Sequence, residues 1–353
     1  MTPLITPWIA LLALGVLFAL PGAGLAQGFG AVALFGAVVA AIHHAEVIAH
    51  RVGEPFGTLI LAVAITTIEV GLILSIMIAG GPEKAATARD TIYSALMIIT
   101  TGVMGGCLFV GAQRFREQAY RVEGAMSVLA AIITLSVIAL ILPMLTTTVA
   151  GPVYSKSQLM FIALVSLALW TFFVRIQAGR HRDYFLPSTQ PDDEDQHAEP
   201  PSDREAWHSF GLLLASLVAV IGLAKGLSPS LEGYLVANGA PKAVVGLVIA
   251  LVVLLPETGA ALQAARANRF QTSMNLALGS GLASIGLTIP AVAAASIGLN
   301  LPLTLGIGAK EATLLVMAFS VNAITLGIGR TNVLLAAVHL AIFATYLFLT
   351  FVP

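Results

Sequence analysis

The sequence predicts an all-α integral membrane protein with about eleven transmembrane helices, arranged as two inverted five-helix repeats after a leading N-terminal helix. Of its 353 residues, 58% are hydrophobic and only 10% are charged, against about 25% charged residues in soluble domains. Apolar runs of about twenty residues, the length that crosses a bilayer as a helix, recur along the chain. The sequence lacks strand-length alternating segments, which favours helices over a barrel.

Each predicted span is bounded by charged residues, prolines or glycines. Six spans precede a long polar stretch, at 4–20, 28–50, 56–79, 91–112, 124–145 and 157–174. Five follow it, at 209–224, 243–265, 271–299, 312–328 and 331–352. Gly24, Leu25 and Ala26 resemble a signal-peptide cleavage site, but no Lys or Arg precedes the first span. We therefore expect the first span to be a helix.

The cations predict the orientation, because cytoplasmic loops retain Lys and Arg. With the N-terminus in the cytoplasm and the C-terminus outside, eleven of the 17 cations lie in cytoplasmic segments and six outside. We expect a multi-pass protein of the inner cell membrane. Because 17 basic residues nearly balance 18 acidic ones, the charge gives no reason to expect nucleic acid as a partner. The single cysteine, Cys107, excludes an intramolecular disulfide.

The polar stretch divides the chain into four predicted regions. These are an N-terminal helix and loop at 1–27, a first five-helix repeat at 28–177, an acidic cytoplasmic linker at 178–207 and a second five-helix repeat at 208–353. The linker holds eight of the 18 acidic residues. A solvated connection is the simpler interpretation of it, and a regulatory segment that attracts cations is the alternative.

The two repeats contain matching acidic residues. Glu69 follows Gly57 by twelve residues, Glu257 follows Gly246 by eleven, and each is the one acid of its apolar span. Because five spans are an odd number, the two halves insert in opposite directions. This pattern indicates an inverted repeat with a transport site near the bilayer midplane, between the two halves.

A carboxylate at the bilayer centre costs at least about 2.5 kcal/mol, so it needs a partner or a task. One interpretation is that each Glu is neutral and hydrogen-bonded to a neighbouring helix. The alternative, which we favour for a matched pair, is a cation site, because Ca²⁺ binds six to eight oxygen atoms. Hydroxyl oxygens are available next to both acids, from Thr66, Thr67 and Thr258.

Local breaks in the helix would add further ligands beside Glu257. Pro256 removes a backbone donor and can free a carbonyl one turn earlier, and Gly259 is expected to let another backbone approach. The spans that follow each Glu are rich in small and hydroxyl residues, which are also common at plain helix contacts. The candidates for additional ligands there are Ser94, Thr101, Asn275 and Ser280.

A second polar cluster lies near the end of the second span. His43, Glu46 and His50 share one helical face, and His44 and Glu54 lie close to them in the sequence. The cluster is a candidate for pH sensing or for a cytoplasmic entrance, and interfacial polar residues are the simpler alternative. A metal site is a further alternative, although the spacing is not that of the zinc peptidases.

Two segments carry a resemblance to a known family. They are AEVIAHRVGEPFGTLILAVAITTIEVGLI at 45–73 and VVGLVIALVVLLPETGAALQAARANRFQTSMNLALGSGLASIGLTIP at 244–290. Together they resemble the bacterial calcium/proton antiporters of the cation/Ca²⁺ exchanger superfamily, of the ChaA type. The resemblance implies that Glu69 and Glu257 bind Ca²⁺ and accept protons in turn.

The sequence departs from the better-known exchangers three and four residues ahead of each acid. Those proteins have Gly-Asn there, whereas this chain has Ile65 and Thr66 before Glu69, and Val253 and Leu254 before Glu257. The missing amides keep Na⁺ or K⁺ open as the exchanged ion.

We therefore expect a transporter, not an enzyme, that exports Ca²⁺ against protons, with no resident cofactor. Its partners would be inorganic cations, protons and the lipid bilayer. The alternatives from other classes are a membrane-embedded metalloenzyme that uses the histidine cluster and a sensor or scaffold that uses the acidic linker.

Overall fold

A computed structural model describes residues 2–20, 22–53, 56–179, 182–185, 201–239 and 241–353. Within these ranges the chain is helical and has no β-strand, only one isolated bridge between Ala119 and Arg330. Ten helices in the described ranges are long and apolar enough to cross a membrane, and a shorter apolar helix precedes them. The prediction of an all-α membrane protein with about eleven helices is confirmed.

Seven α-helices precede the polar stretch. They are α1 (Thr2–Ala19), α2 (Gly24–Val52), α3 (Phe56–Gly80), α4 (Thr87–Met97), α5 (Met104–Phe115), α6 (Val122–Ser136) and α7 (Lys156–Ala178). A π-helical segment, Ile98–Val103, joins α4 and α5 into one span, and a second, Val137–Ile141, extends α6. The sequence predicted the spans but not the two π-helical segments within them.

Five α-helices follow the polar stretch. They are α8 (Asp203–Ala237), α9 (Ala243–Arg266), α10 (Phe270–Leu299), α11 (Ala309–Ile328) and α12 (Val333–Phe351). The main difference from the predicted spans is α8, which extends well past residue 224 and through Pro229. A proline inside a helix removes one backbone hydrogen bond without ending the helix when the flanking turns are packed.

The described part of the predicted linker is partly helical. Residues 182–185 form a short 3₁₀ turn, and α8 already begins at Asp203. Ser202 caps this helix, because its hydroxyl accepts a hydrogen bond from the Glu205 backbone N–H at 3.3 Å. The acidic run at 192–195 lies outside the described residues.

The chain forms two compact units, and each draws helices from both sides of the linker. Unit 1 comprises Met1–Lys84 and Asp193–Lys242, and unit 2 comprises Ala85–Asp192 and Ala243–Pro353. The compact units therefore do not coincide with the two predicted repeats along the sequence.

In unit 1, α8 packs against α1, α2 and α3. Gly222 and Gly226 lie one turn apart on α8, where added Cβ atoms would lie 2.7 Å from Leu14 and 2.6 Å from Leu17 of α1. This small-xxx-small spacing lets helices approach closely in a membrane. A salt bridge of 2.5 Å between Arg51 and Asp203 joins the end of α2 to the start of α8.

In unit 2, the span formed by α4 and α5 packs against α9, α10 and α12, and α10 also packs against α6 and α7. Residues between α5 and α6 contact both the connection from α9 to α10 and helix α11. Gln118 donates to the Ala265 carbonyl at 3.2 Å and to the Asn268 side chain at 2.9 Å. Burial raises the pKa of Tyr120 to about 12, so its hydroxyl stays protonated and donates to the Thr325 carbonyl at 2.8 Å.

The lipid-facing character of the helices appears directly in their exposed side chains. On α7, Phe161 and Phe172 are each 63% exposed. Such exposure of large apolar side chains along a helix is typical of a surface that faces hydrocarbon.

Candidate cation-binding site

The first predicted carboxylate lies in unit 1, in the middle of the 25-residue helix α3. Glu69 is only 3% exposed and is flanked by the fully buried Ile68. Two residues further on, a Cβ at Gly71 would lie 2.7 Å from Ile221, so α3 and α8 approach closely beside Glu69. Packing of α3 against α2 and α8 therefore keeps this carboxylate away from lipid.

The two threonines beside Glu69 have different surroundings. Thr66 is 8% exposed and lies one turn before Glu69, on the same helical face. Thr67 is exposed, and its hydroxyl donates to the Val63 carbonyl at 2.7 Å. The structure thus places the Thr66 hydroxyl, but not that of Thr67, on the buried face that carries Glu69.

The second carboxylate lies in unit 2, in the middle of the 24-residue helix α9. Both carboxylate oxygens of Glu257 are buried, although the residue as a whole is half-buried. Thr258 is half-buried as well. The expected backbone approach at Gly259 is wrong, because no described atom beyond the adjoining turns of α9 lies within 4 Å of a Cβ placed there.

A different glycine brings α9 close to another backbone. A Cβ at Gly246 would lie 2.6 Å from the Asp90 carbonyl carbon and 2.8 Å from the Thr91 nitrogen, at the start of α4. Further along, a Cβ at Gly106 would lie 3.3 Å from Leu262. Because sixteen residues separate the two contacts on either helix, α9 runs parallel to the span formed by α4 and α5.

This register places Glu257 at the level of Thr101. Glu257 follows Gly246 by eleven residues, and Thr101 follows Asp90 by the same number. Thr101 is fully buried in the π-helical segment, and its hydroxyl donates to the Met97 carbonyl. A hydroxyl that donates within its own helix keeps its lone pairs for a hydrogen atom or a cation.

Helix α10 brings Ser280 to the same level. A Cβ at the neighbouring Gly281 would lie 3.4 Å from Ile99, two residues before Thr101. Ser280 itself is half-buried. In unit 2, the predicted residues Glu257, Thr101 and Ser280 therefore lie within about one helical turn of one another along the helix axes.

The other two candidates in unit 2 lie away from this level. Ser94 is 2% exposed but precedes Thr101 by seven residues, about 10 Å along the helix. Asn275 donates to the Phe185 carbonyl at 2.6 Å and accepts from Gln271 at 3.0 Å. Its amide thus fastens the 3₁₀ turn of the linker to α10, a use that the sequence did not reveal.

The predicted histidine cluster is divided between two faces of α2. His43, Glu46 and His50 are exposed on one face, as their spacing predicted. His44 is 1% exposed, and its Nδ1 lies 3.3 Å from the Ser209 hydroxyl of α8. Glu54 lies outside the described residues, and no group of three His, Cys, Asp or Glu side chains suited to a metal ion occurs among those described.

Sequence reasoning missed a buried polar network in unit 2. Asn322, Thr325 and His339 are all 0% exposed. Asn322 and His339 both contact the Thr100 carbonyl, and the Thr325 hydroxyl contacts the other ring nitrogen of His339. A histidine in an apolar transmembrane helix is itself an unusual signal, and His339 could have been recognised from it.

Comparison with known proteins identifies the family. The chain matches the family described as "Sodium/calcium exchanger protein" over residues 8–179 and 208–352. It is 46% identical over 91% of its length to y4hA of Sinorhizobium fredii (strain NBRC 101917 / NGR234), named as an ionic transporter, covering 87% of that protein. It is 36% identical, with the same shares covered, to the sodium-potassium/proton antiporter ChaA of Escherichia coli (strain K12).

A solved structure shares the fold. YfkE, a Ca²⁺/H⁺ antiporter protein, superposes with a TM-score of 0.76 at 16% identity, and the match covers 100% of both chains. Because the family match spans most of the sequence and excludes only the linker and the two ends, the chain belongs to the sodium/calcium exchanger protein family of membrane transporters.

Proposed function

We propose that the protein is a secondary active Ca²⁺/proton antiporter that exports the cation by using the proton gradient. The observation that carries the proposal is one glutamate with a buried carboxylate in the middle of the second helix of each five-helix set, Glu69 on α3 and Glu257 on α9. A buried carboxylate is unfavourable in a membrane unless it binds a cation or a proton. Membership in a family of membrane transporters supports transport as the task of this pair.

Competition for the same oxygen atoms explains how transport would be coupled. A carboxylate that holds a proton has lost the charge that attracts a cation, and a carboxylate that binds a cation has a strongly lowered proton affinity. In each half of the transport cycle the carboxylates therefore carry either a cation or protons. Within each unit a hydroxyl oxygen would add to the coordination, from Thr66 beside Glu69 in unit 1 and from Thr101 and Ser280 level with Glu257 in unit 2.

Ca²⁺ is the first candidate substrate, because carboxylate, hydroxyl and carbonyl oxygens suit a hard divalent cation. Na⁺ or K⁺ is the second candidate. It is favoured by the 36% identity to a sodium-potassium/proton antiporter and by the absence of amide side chains three residues ahead of Glu69 and Glu257, where Thr66 and Leu254 stand.

The location and orientation are proposed from charge. We place the protein in the inner membrane with the N-terminus in the cytoplasm, because eleven of the 17 cations then lie in cytoplasmic segments. In that orientation the exposed face of His43, Glu46 and His50 lies in the cytoplasmic half of α2. Charged and titratable groups at this depth need water. We therefore assign this face to a wet entrance, a water-filled cytoplasmic opening for ions that responds to pH.

Proton movement in reconstituted vesicles tests the proposed function. Vesicles that contain a pH-sensitive dye would receive Ca²⁺, Na⁺ or K⁺, with wild type, Glu69→Gln and Glu257→Gln compared. We expect a Ca²⁺-dependent proton signal that both variants lose, because glutamine neither ionises nor exchanges a proton. Glu83→Gln and Glu117→Gln are the matched controls, since both side chains are exposed, at 79% and 61%, one in each unit.

The outcomes separate the candidates. A signal with Na⁺ or K⁺ alone would replace the substrate and retain the carboxylate mechanism. Wild-type exchange by either Gln variant would contradict the assignment of the two carboxylates.

A further inference from the structure

Two buried side chains of unit 2 converge on one backbone carbonyl. Asn322 of α11 donates from its amide nitrogen to the Thr100 carbonyl at 2.8 Å, and His339 of α12 places Nδ1 2.9 Å from the same oxygen. All three residues are 0% exposed. We call the arrangement of Thr100, Asn322 and His339 the Thr100 clamp.

The hydrogen bonds define the state of the histidine. A carbonyl oxygen only accepts, so Nδ1 of His339 must carry a proton and donate it. The other ring nitrogen, Nε2, lies 3.0 Å from the Thr325 hydroxyl, which can donate to it. Both ring nitrogens are thus occupied by partners, and a neutral imidazole with one fixed tautomer satisfies them.

The clamp acts on a carbonyl that the helix does not use in the ordinary way. In an α-helix the Met104 N–H would donate to the Thr100 carbonyl. Here it donates to the carbonyls of Ile99 and Thr101, because the segment is π-helical. Asn322 and His339 therefore donate to the Thr100 carbonyl in place of the Met104 N–H, which the π-turn directs to other carbonyls.

The clamp lies at the same level as Glu257, on another side of the span formed by α4 and α5. Helices α11 and α12 contact the π-helical segment from the clamp side, and α9 and α10 contact it as well. Thr101 follows the clamped carbonyl directly and is level with Glu257. Relaxation of the π-turn to an α-helix would rotate the neighbouring residues by about 100° and move the Thr101 hydroxyl.

We propose that His339 is a positioning residue of the cation site: together with Asn322 it holds the π-turn so that the Thr101 hydroxyl stays at the level of Glu257. The inference rests on the proposed function. It assigns His339 a role in cation affinity without contact with the cation.

Two substitutions test the proposal, because each places an amide nitrogen at the position of one of the two imidazole nitrogens. In His339→Asn the amide nitrogen lies as many bonds from Cα as Nδ1, so it can still donate to Thr100. In His339→Gln the amide nitrogen takes the place of Nε2, and the donor to Thr100 is lost. The pair separates the clamp from the contact with Thr325.

Apparent cation affinity is the readout, from the concentration dependence of proton movement in vesicles and from cation-dependent thermal stabilisation in detergent. We expect His339→Gln to weaken both affinities about fivefold, the effect of one buried hydrogen bond, and His339→Asn to stay within about twofold of wild type. Ser296→Ala is the control, since it removes a 2.7 Å hydrogen bond elsewhere on α10. If His339→Gln does not fold, Asn322→Leu replaces it, with the same expected loss.

The experiment distinguishes this inference from the proposed function. Equal affinities in His339→Gln and wild type, with affinity lost in Glu257→Gln, would overturn the positioning role alone. The same loss in Ser296→Ala and His339→Gln would show a general effect of packing and would also overturn it. Wild-type affinity in Glu257→Gln would instead contradict the proposed function.

Discussion

At the scale of single residues, burial separates side chains that are equivalent in the sequence. Thr66 and Thr67 both adjoin Glu69 and offer the same oxygen. A rotation of about 100° per residue nevertheless places one on the buried face of α3 and the other on its exposed face. Local contacts also distinguish Asn275 from the other candidate ligands, because its amide is hydrogen-bonded to Phe185 and Gln271.

The threonine pair gives a direct prediction. Thr66→Val, which removes the hydroxyl at nearly constant volume, should weaken apparent cation affinity by about 1 kcal/mol if that oxygen is a ligand. Thr67→Val should leave the affinity unchanged, because its side chain faces away from the buried side. The concentration dependence of proton movement in vesicles measures both. An equal loss in the two variants would contradict the placement of Thr66.

At the scale of helices, close contacts and π-turns set which residues meet. Gly246 allows α9 to approach the backbone of α4, and this contact fixes the register that brings Glu257 level with Thr101. The π-helical segment Ile98–Val103 then shifts the faces of α4 and α5 relative to each other. Neither feature requires a charged residue, so neither produces a strong pattern in the sequence.

Two glycines of α9 test the register. Gly246→Ala should lower the free energy of unfolding by about 1–3 kcal/mol, because its Cβ would meet backbone atoms that cannot move aside. Gly259→Ala is the matched control and should be neutral or stabilising by up to about 1 kcal/mol, since alanine favours the helix and the site is open. Thermal unfolding in detergent compares them. Equal melting temperatures would exclude a tight α4–α9 contact at Gly246.

At the scale of the whole molecule, the chain is organised differently in sequence and in space. The linker separates two five-helix sets in the sequence, but each compact unit combines helices from both sides of it. Glu69 belongs to unit 1 and Glu257 to unit 2.

Thiol labelling tests the proposed orientation. In a Cys107→Ser background, a membrane-impermeant reagent on intact cells should label Lys242→Cys, whose native side chain is 68% exposed. It should label Glu117→Cys and His50→Cys only after access to the cytoplasmic side, because those positions are assigned to the inside. Labelling of Glu117→Cys from outside would reverse the orientation, and failure to label His50→Cys from either side would contradict the wet entrance.

The sequence alone determined the class of protein, the positions of the spans and the two acidic residues. These follow from hydropathy over about twenty residues and from the high cost of a charge in hydrocarbon, both of which act locally and leave strong signals. Family resemblance carried the further expectation of antiport, and family membership in a transporter group is now established.

The tertiary structure decided which polar groups share a level and which face they occupy. The alignment of Thr101 and Ser280 with Glu257, the different surroundings of Thr66 and Thr67, and the Thr100 clamp all depend on contacts between helices distant in sequence. Helix rotation and register are fixed by packing of small residues and by buried hydrogen bonds. These act across the fold, so hydropathy along one chain cannot show them.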